Sequence, residues 1–138
     1  MKTEYLIAIN ALAYLSDHEG FISSDELAHE IGSNAALIRK VMLKLKKTKL
    51  IKTKVGAMGG YYLSESAKKI TLDQILQACE EHDLIKINNG KPIYDERLEI
   101  VQTRLNAVCV DLSVLCHQRL NTITLADLCM NKEEGDTY

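Results

Sequence analysis

The chain has 138 residues, a net charge of −2 and 46% hydrophobic residues, which suits one compact domain with an appended element. A membrane-spanning helix needs about 18 consecutive apolar residues, and no apolar run in the sequence is that long. The N-terminus lacks the apolar core of a signal peptide. One proline and seven glycines favour mostly helical structure, and four cysteines without a secretory signal predict thiols in a reducing, cytoplasmic setting.

A first helix is predicted over residues 3–16. Its apolar residues recur at helical spacing, as in one buried stripe: Tyr5, Ala8, Ile9 and Leu12. Gly20 follows the end of this helix and can take a left-handed conformation. Phe21 and Ile22 come next and are expected to enter the core.

Two further helices are predicted, separated by a tight turn at Gly32. Ser23 stands three residues before Glu26, the spacing of a capping box that begins the second helix. Ser33 and Asn34 are suitable N-cap residues for the third helix, which extends to about residue 47. Its predicted buried face consists of Leu37, Val41 and Leu45. Two helices joined in this way predict a helix-turn-helix.

The charge is distributed unevenly along the chain. Residues 1–70 hold 11 basic and 7 acidic residues, a net charge of +4, whereas residues 71–138 hold 6 and 12, a net charge of −6. Eight basic residues occur between positions 39 and 54 without an acidic one: Arg39, Lys40, Lys44, Lys46, Lys47, Lys49, Lys52 and Lys54. A solvated helix face normally mixes both signs of charge. The cluster therefore favours an anionic partner such as a phosphate backbone.

A β-hairpin is predicted directly after the basic helix. Residues 50–55 alternate apolar and polar side chains, residues 61–64 form the returning strand, and the tip at residues 56–60 holds three glycines. The alternative is an ordinary surface hairpin. Because the hairpin follows a basic helix, we predict a wing whose tip enters a DNA groove or approaches a phosphate.

The second half predicts more helices. Thr71 to Gln74 has capping-box spacing and begins a helix with Leu72, Ile75, Leu76 and Cys79 on one side. Residues 83–94 form an irregular linker, which divides the chain into a DNA-binding domain at 1–80 and a linker with dimerisation helices at 81–138. A seam of alternating three- and four-residue spacing follows: Leu98, Val101, Leu105, Val108, Leu112 and Leu115. Such a seam is typical of a helix that pairs two protomers. Residues 122–128 predict a short capped helix before a polar tail.

The cysteines leave three interpretations open. Cys79 and His82 have C-x-x-H spacing, and Cys109 and Cys116 are seven residues apart beside the seam. The favoured interpretation is that Cys79 and Cys109 are small buried hydrophobic residues. Oxidation of Cys109 or Cys116 across a dimer comes second. A metal site comes third, because the sequence has no paired C-x-x-C motifs. No metal ligand set is predicted.

Several stretches together resemble the Rrf-two (Rrf2) family of bacterial winged-helix transcription regulators. They are Ser33-Asn34 through Leu45, Leu50-Ile51, Gly56, Gly59-Gly60-Tyr61, Ile70-Thr71-Leu72 and residues 120–128. The resemblance implies a mostly α-helical winged helix-turn-helix with a small β-hairpin and a long C-terminal dimerisation helix. It further implies a homodimeric repressor that binds a pseudo-palindromic operator in double-stranded DNA.

The sequence departs from the family at the iron–sulfur site. Members that bind a cluster carry three closely spaced cysteines before the long helix, whereas residues 83–97 here contain no cysteine. The cluster ligands cannot be transferred, and the chain is more similar to the YwnA-like branch. We therefore expect no cofactor, and the sequence leaves the effector open.

Candidate DNA contacts follow from the predicted third helix and wing. Its outward side chains are predicted to be Asn34, Ala35, Ile38, Arg39 and Met42. Arg39 suits guanine, Asn34 suits adenine or a phosphate, and Ile38 either contacts a thymine methyl or belongs to the core. Phosphate contacts are predicted for Ser24, Ser33, Lys40, Lys44, Lys46, Lys52 and Lys54. The wing contributes Met58, Gly59, Gly60 and Tyr61.

Other classes of function are less well supported by the sequence. No nucleophile–base pair, phosphate-cradling loop or paired carboxylates indicates an enzyme. A winged-helix adaptor that binds protein instead of DNA is an alternative, as is a thiol- or metal-responsive sensor. An adaptor would not require the dense basic cluster.

Overall fold

The computed structural model describes residues 3–79, 85 and 92–129. The elements are α1 (Thr3–Asp17), α2 (Ser24–Ile31), α3 (Ala35–Lys47), β1 (Ile51–Lys54), β2 (Gly60–Leu63), a 3-10 turn (Ala67–Lys69), α4 (Leu72–Ala78), α5 (Glu96–Leu120) and α6 (Leu125–Cys129). The predicted mostly helical fold with one β-hairpin is confirmed. Most of the predicted linker, His82 and the polar tail lie outside the described residues.

A single apolar core joins the first four helices, β1 and α6. Its largest fully buried side chains are Tyr5, Leu12, Leu27, Ile38, Val41, Met42, Leu45, Ile70, Ile75, Leu76 and Leu125. Helix α1 is central, because it contacts α2, α3, α4, α6 and β2. Tyr5, Ala8 and Leu12 are buried as predicted, while Ile9 is half-buried.

The helix starts agree with the local signals in the sequence. Ser23 caps α2 by accepting a hydrogen bond from the Glu26 amide, and Asn34 caps α3 by accepting one from the Leu37 amide at 2.8 Å. Thr71 and Gln74 form a complete capping box at α4. Gly32 ends α2 in the left-handed region, at φ 73°. These interactions occur within a few residues, which is why sequence predicts them.

The hairpin is extended by the segment before α2. β1 and β2 are antiparallel, with Ile51 opposite Leu63, and the backbone of Ile22 exchanges two hydrogen bonds of 2.9 and 2.8 Å with Tyr61. Ile22 is buried, but Phe21 is 40% exposed, so the prediction that Phe21 enters the core is wrong. Successive residues of an extended segment point to opposite faces. The Phe21 ring instead lies beside the Tyr62 ring of β2, with 5.7 Å between the two centroids.

The long helix α5 leads back to the winged-helix part. It has 25 residues and is capped by the preceding Asp95, whose carboxylate accepts hydrogen bonds from the Arg97 and Leu98 amides. After α5 the chain returns, since the Leu125 amide donates to the Ile70 carbonyl at 2.7 Å and Leu125 is fully buried. Within the described part of the chain, none of the helices combines the length and apolar character needed to cross a membrane.

Candidate nucleic-acid interface

Helix α3 buries two of its three predicted core residues, Val41 and Leu45, on a face that also includes Ile38 and Met42. Ile38, Val41, Met42 and Leu45 are fully buried, while Leu37 is half-buried. Spacings of 3, 4 and 7 place these four residues on one side of the helix. The outward position predicted for Met42 is therefore wrong. Of the two alternatives for Ile38, the core position is confirmed, and the thymine contact is excluded.

The outward face of α3 carries cations around one exposed leucine. Its exposed residues are Ala36, Arg39, Lys40, Leu43, Lys46 and Lys47. Leu43 is 53% exposed although it is a large apolar residue on a charged surface. Leu43 was not predicted from the sequence as a candidate contact. Its position two residues after the buried Val41 could have indicated that it lies on the outward face, because residues two apart on a helix do not share a face. Ala35 and Ser33 are half-buried, and Asn34 is exposed with its side-chain oxygen engaged in the helix cap.

A groove of about 360 Å³ separates α3 from the hairpin. Its lining includes Ser23, Ser24, Arg39, Leu43, Lys46, Thr53, Lys54, Gly59, Gly60 and Tyr61. Burial raises the pKa of Tyr61, while the nearby Arg39 charge acts in the opposite direction. The structure thus brings seven of the fifteen predicted DNA-binding residues to one concave surface, with cationic groups on both walls.

The basic cluster does not form a single surface. Lys40 and Lys44 each lie 2.8 Å from a carboxylate oxygen of Glu4 at the start of α1. Lys52 lines a separate groove, beside the end of α1 and the segment after β2. Lys46 and Lys54 face the groove next to α3. The closeness of these lysines in sequence therefore overestimated how many cations meet at one site. The acidic partner, Glu4, could not be anticipated from the cluster because it is 36 positions away from Lys40 in sequence.

Two glycines of the wing, Gly59 and Gly60, are required by close contacts with other parts of the backbone. A Cβ on Gly59 would lie 2.0 Å from the Lys54 carbonyl oxygen, and one on Gly60 would lie 2.2 Å from that of Ile22. Both close approaches are to backbone, so these residues dock β2 against its neighbours. Met58 and Val55 are 84% and 96% exposed at the tip.

Comparison with known proteins places this architecture in a family. The Rrf2 profile, which describes iron-dependent transcriptional regulators, matches residues 1–131. The chain belongs to the Rrf2 family. It is a winged-helix transcriptional regulator, not an enzyme.

Individual relatives of this Rrf2 protein are distant. It is 28% identical to protein rrf2 of Nitratidesulfovibrio vulgaris over 108 residues, covering 78% of this chain and 70% of that protein. It is 25% identical to the regulator IscR of Erwinia tasmaniensis, covering 96% and 78%. The structure of CymR, the global cysteine regulator of B. subtilis, superposes with a TM-score of 0.70 at 18% identity, covering 99% and 98%. That superposition supports the fold.

Helix α5 of this Rrf2 protein presents an uncovered apolar seam. All six predicted seam residues are 41–60% exposed: Leu98, Val101, Leu105, Val108, Leu112 and Leu115. The buried residues of α5 are instead Cys109 and Ser113, which are not part of the seam. Burial of Cys79 and Cys109 agrees with their interpretation as small hydrophobic residues, while Cys116 is half-buried.

The described residues do not fit an iron or other metal site. Among residues 3–79, 85 and 92–129, no three His, Cys, Asp or Glu side chains come together in a group that could hold a metal ion. Cys79 and Cys109 are buried, and Cys116 and Cys129 are half-buried.

Proposed function

We propose that this Rrf2-family regulator represses transcription by binding a pseudo-palindromic DNA site as a homodimer in the cytoplasm. The observation that supports this proposal is the concave surface between α3 and the wing, where Arg39, Lys46 and Lys54 flank the exposed Leu43. Cations on the walls suit phosphates, and an exposed helix face suits the major groove.

The groups on this surface have separate tasks in the proposal. Arg39 reads guanine through its two parallel N–H donors, and Leu43 makes the thymine-methyl contact that was one of the two alternatives for Ile38. Lys46, Lys54 and the helix starts at Ser24 and Asn34 contact phosphates. The exposed Met58 extends the wing toward a neighbouring groove.

The exposed seam on α5 supports the proposed homodimer. Six exposed apolar residues on one helix are costly in water, and a second copy of the same helix would cover them. Two-fold pairing would place two α3 helices for two half-sites, which is the usual relation between a dimeric regulator and its operator.

Selection of bound fragments from genomic DNA, followed by footprinting, tests the proposal. We expect a two-fold site. Arg39→Ala should lose about 1–3 kcal/mol at one base position of each half-site. Lys54→Ala should weaken all duplexes alike and reduce the salt slope by about 0.9. Equal losses for Arg39→Ala on the selected and on scrambled DNA would remove its reading role, and a chain that does not retain DNA would favour the adaptor function.

We further propose that the regulator acts without an iron–sulfur cluster. The sequence has no cysteine between residues 83 and 97, and Cys79 and Cys109 are buried. Iron and sulfide analysis of anaerobically purified protein, with an absorption spectrum, tests this. Stoichiometric iron together with a visible cluster band would contradict the proposal.

A further inference from the structure

Glu4 forms a bridge between α1 and α3, the proposed DNA-recognition helix. One carboxylate oxygen lies 2.8 Å from Lys40 Nζ, and the other lies 2.8 Å from Lys44 Nζ. The two lysines are one helical turn apart on α3, so a single carboxylate reaches both. The Glu4 side chain is 20% exposed and that of Lys44 is 21% exposed, which limits screening of this contact by water.

Glu4 carries its charge at neutral pH. The hydrogen bonds from Lys40 and then Lys44 hold the pKa of the Glu4 carboxyl below its ordinary value of 4.5, against a smaller opposing effect of burial. The carboxylate is therefore negatively charged where it contacts α3. It occupies the ammonium groups that a DNA phosphate would otherwise engage.

Lys40 connects this bridge to the DNA-facing surface. Its side chain is 63% exposed, and it directly follows Arg39 on the outward face of α3. Any duplex seated on Arg39 and Leu43 therefore brings phosphates toward Lys40. A phosphate must then displace Glu4 from the lysine, or share the lysine and face the repulsion of the carboxylate.

We propose that Glu4 is an internal competitor for DNA phosphate, which weakens sequence-independent binding through Lys40 and Lys44. This inference rests on the proposed DNA-binding function and adds a specificity-determining residue to it. Base contacts from Arg39 are unaffected by the carboxylate, whereas phosphate attraction is reduced. Glu4 thereby raises the ratio of specific to non-specific affinity.

The experiment measures binding of the purified full chain to a random-sequence duplex as salt is varied. Glu4→Gln keeps the shape and removes the charge. We expect it to bind the random duplex about tenfold more tightly near 0.1 M salt, with a slope of log K against log salt steeper by about 1–2, because one or two phosphate contacts are gained. Glu99→Gln removes the same charge from exposed α5 and is the matched control, expected to match wild type.

A double variant tests whether the effect of Glu4 acts through Lys40 and Lys44. In the Lys40→Gln, Lys44→Gln double variant, Glu4→Gln should no longer steepen the slope. Glu4→Asp keeps the charge but is too short to reach both lysines together, so it should steepen the slope by about half as much, and it supplies the test if Glu4→Gln unfolds at lower temperature.

Three results would overturn the inference. The first is an unchanged slope in Glu4→Gln and Glu4→Asp, and the second is weaker binding by both. The third is equal tightening in Glu99→Gln. Failure of wild type to bind any duplex would refute the proposed function as well, so the two failures are distinguishable.

Discussion

Asp73 on α4 and His117 on α5 are joined by a hydrogen bond of 2.5 Å between Oδ1 and Nδ1. Asp73 is buried, and its other oxygen accepts a hydrogen bond from the Gln77 side chain at 2.8 Å. The pair connects the winged-helix part to the long helix that carries the apolar seam. It therefore fixes the relation between the surface proposed for DNA and the surface proposed for dimerisation.

His117→Ala should loosen this junction. The substitution removes a hydrogen-bond partner from a buried carboxylate, and we expect the free energy of unfolding to fall by about 1–3 kcal/mol. Urea unfolding at one fixed protein concentration measures the change, and hydrogen exchange should be faster in α5. His29→Ala, at an exposed position of α2, should change stability by less than about 0.5 kcal/mol. Equal losses in both variants would contradict a special role for His117.

Gly60→Ala should detach the wing from the segment before α2. Gly60 has φ 149°, and its added Cβ would lie 2.2 Å from the backbone oxygen of Ile22. Backbone cannot move aside as a flexible side chain can, so we expect a loss of about 2–4 kcal/mol and weaker DNA binding. Thermal unfolding and a duplex-binding titration measure the two effects.

Gly56→Ala is the matched control for this prediction. Gly56 also has a positive φ, 117°, but nothing lies within 4 Å of its added Cβ. The substitution should therefore cost backbone strain alone, about 1–2 kcal/mol. A larger loss in Gly56→Ala than in Gly60→Ala would show that the contact with Ile22 does not dominate.

The sequence predicted those features that depend on neighbouring residues. The caps at Ser23, Asn34 and Thr71 need partners three positions away, and the structure contains all three. The face of α3 was harder to predict, because Leu37 and Ile38 are both apolar and either fits a helical stripe. Packing against α1 and β1 decides between them, and that packing is not local.

The sequence predicted a basic surface but overestimated how many cations it contains. Eight cations lie close in sequence, yet Lys40 and Lys44 pair with Glu4, and Lys52 lies in another groove. A linear count of charge cannot anticipate an acidic partner that the fold brings from α1. The wing glycines likewise serve contacts with Lys54 and Ile22, which require the folded hairpin to be known.

Ile38→Ala and Leu43→Ala should separate folding from binding on the same helix. Ile38 is fully buried, so its truncation should cost about 2–5 kcal/mol of stability. Leu43 is 53% exposed, so Leu43→Ala should leave stability within about 0.5 kcal/mol. It should lose about 1 kcal/mol of affinity for the selected DNA, about fivefold. Unfolding curves and titrations of both variants check this, and unchanged affinity in Leu43→Ala would remove Leu43 from the interface.

Leu105→Glu should prevent pairing through α5. Leu105 lies in the middle of the seam and is 45% exposed in the single chain, so a charge there costs little in a monomer but would be buried unpaired in a dimer. Sedimentation should show a monomer for Leu105→Glu and a dimer for wild type. Glu99→Gln on the same helix should remain dimeric, and a dimeric Leu105→Glu would place the interface elsewhere.

Tyr5→Phe should change the stability of the protein in alkali. Tyr5 is 1% exposed, and its hydroxyl donates to the Leu72 carbonyl at 3.1 Å. Burial raises the pKa of Tyr5 from 10.0 to about 12, with the charges of Cys79 and Asp73 adding to it. Between these pH values the unfolded chain loses a proton that the folded chain keeps. The contribution of Tyr5 is therefore complete below pH 10 and is lost as pH rises toward 12.

Tyr5→Phe removes both the hydrogen bond and the titrating group. We expect a loss of about 1 kcal/mol at neutral pH, and a decline of stability above pH 10 that is shallower than in wild type. Urea unfolding at a series of pH values measures both effects, and comparing variants cancels the titration of the other groups. Tyr62→Phe, which removes an exposed hydroxyl, controls for loss of a phenol. Parallel curves for wild type and Tyr5→Phe would show that ionisation of Tyr5 does not oppose folding.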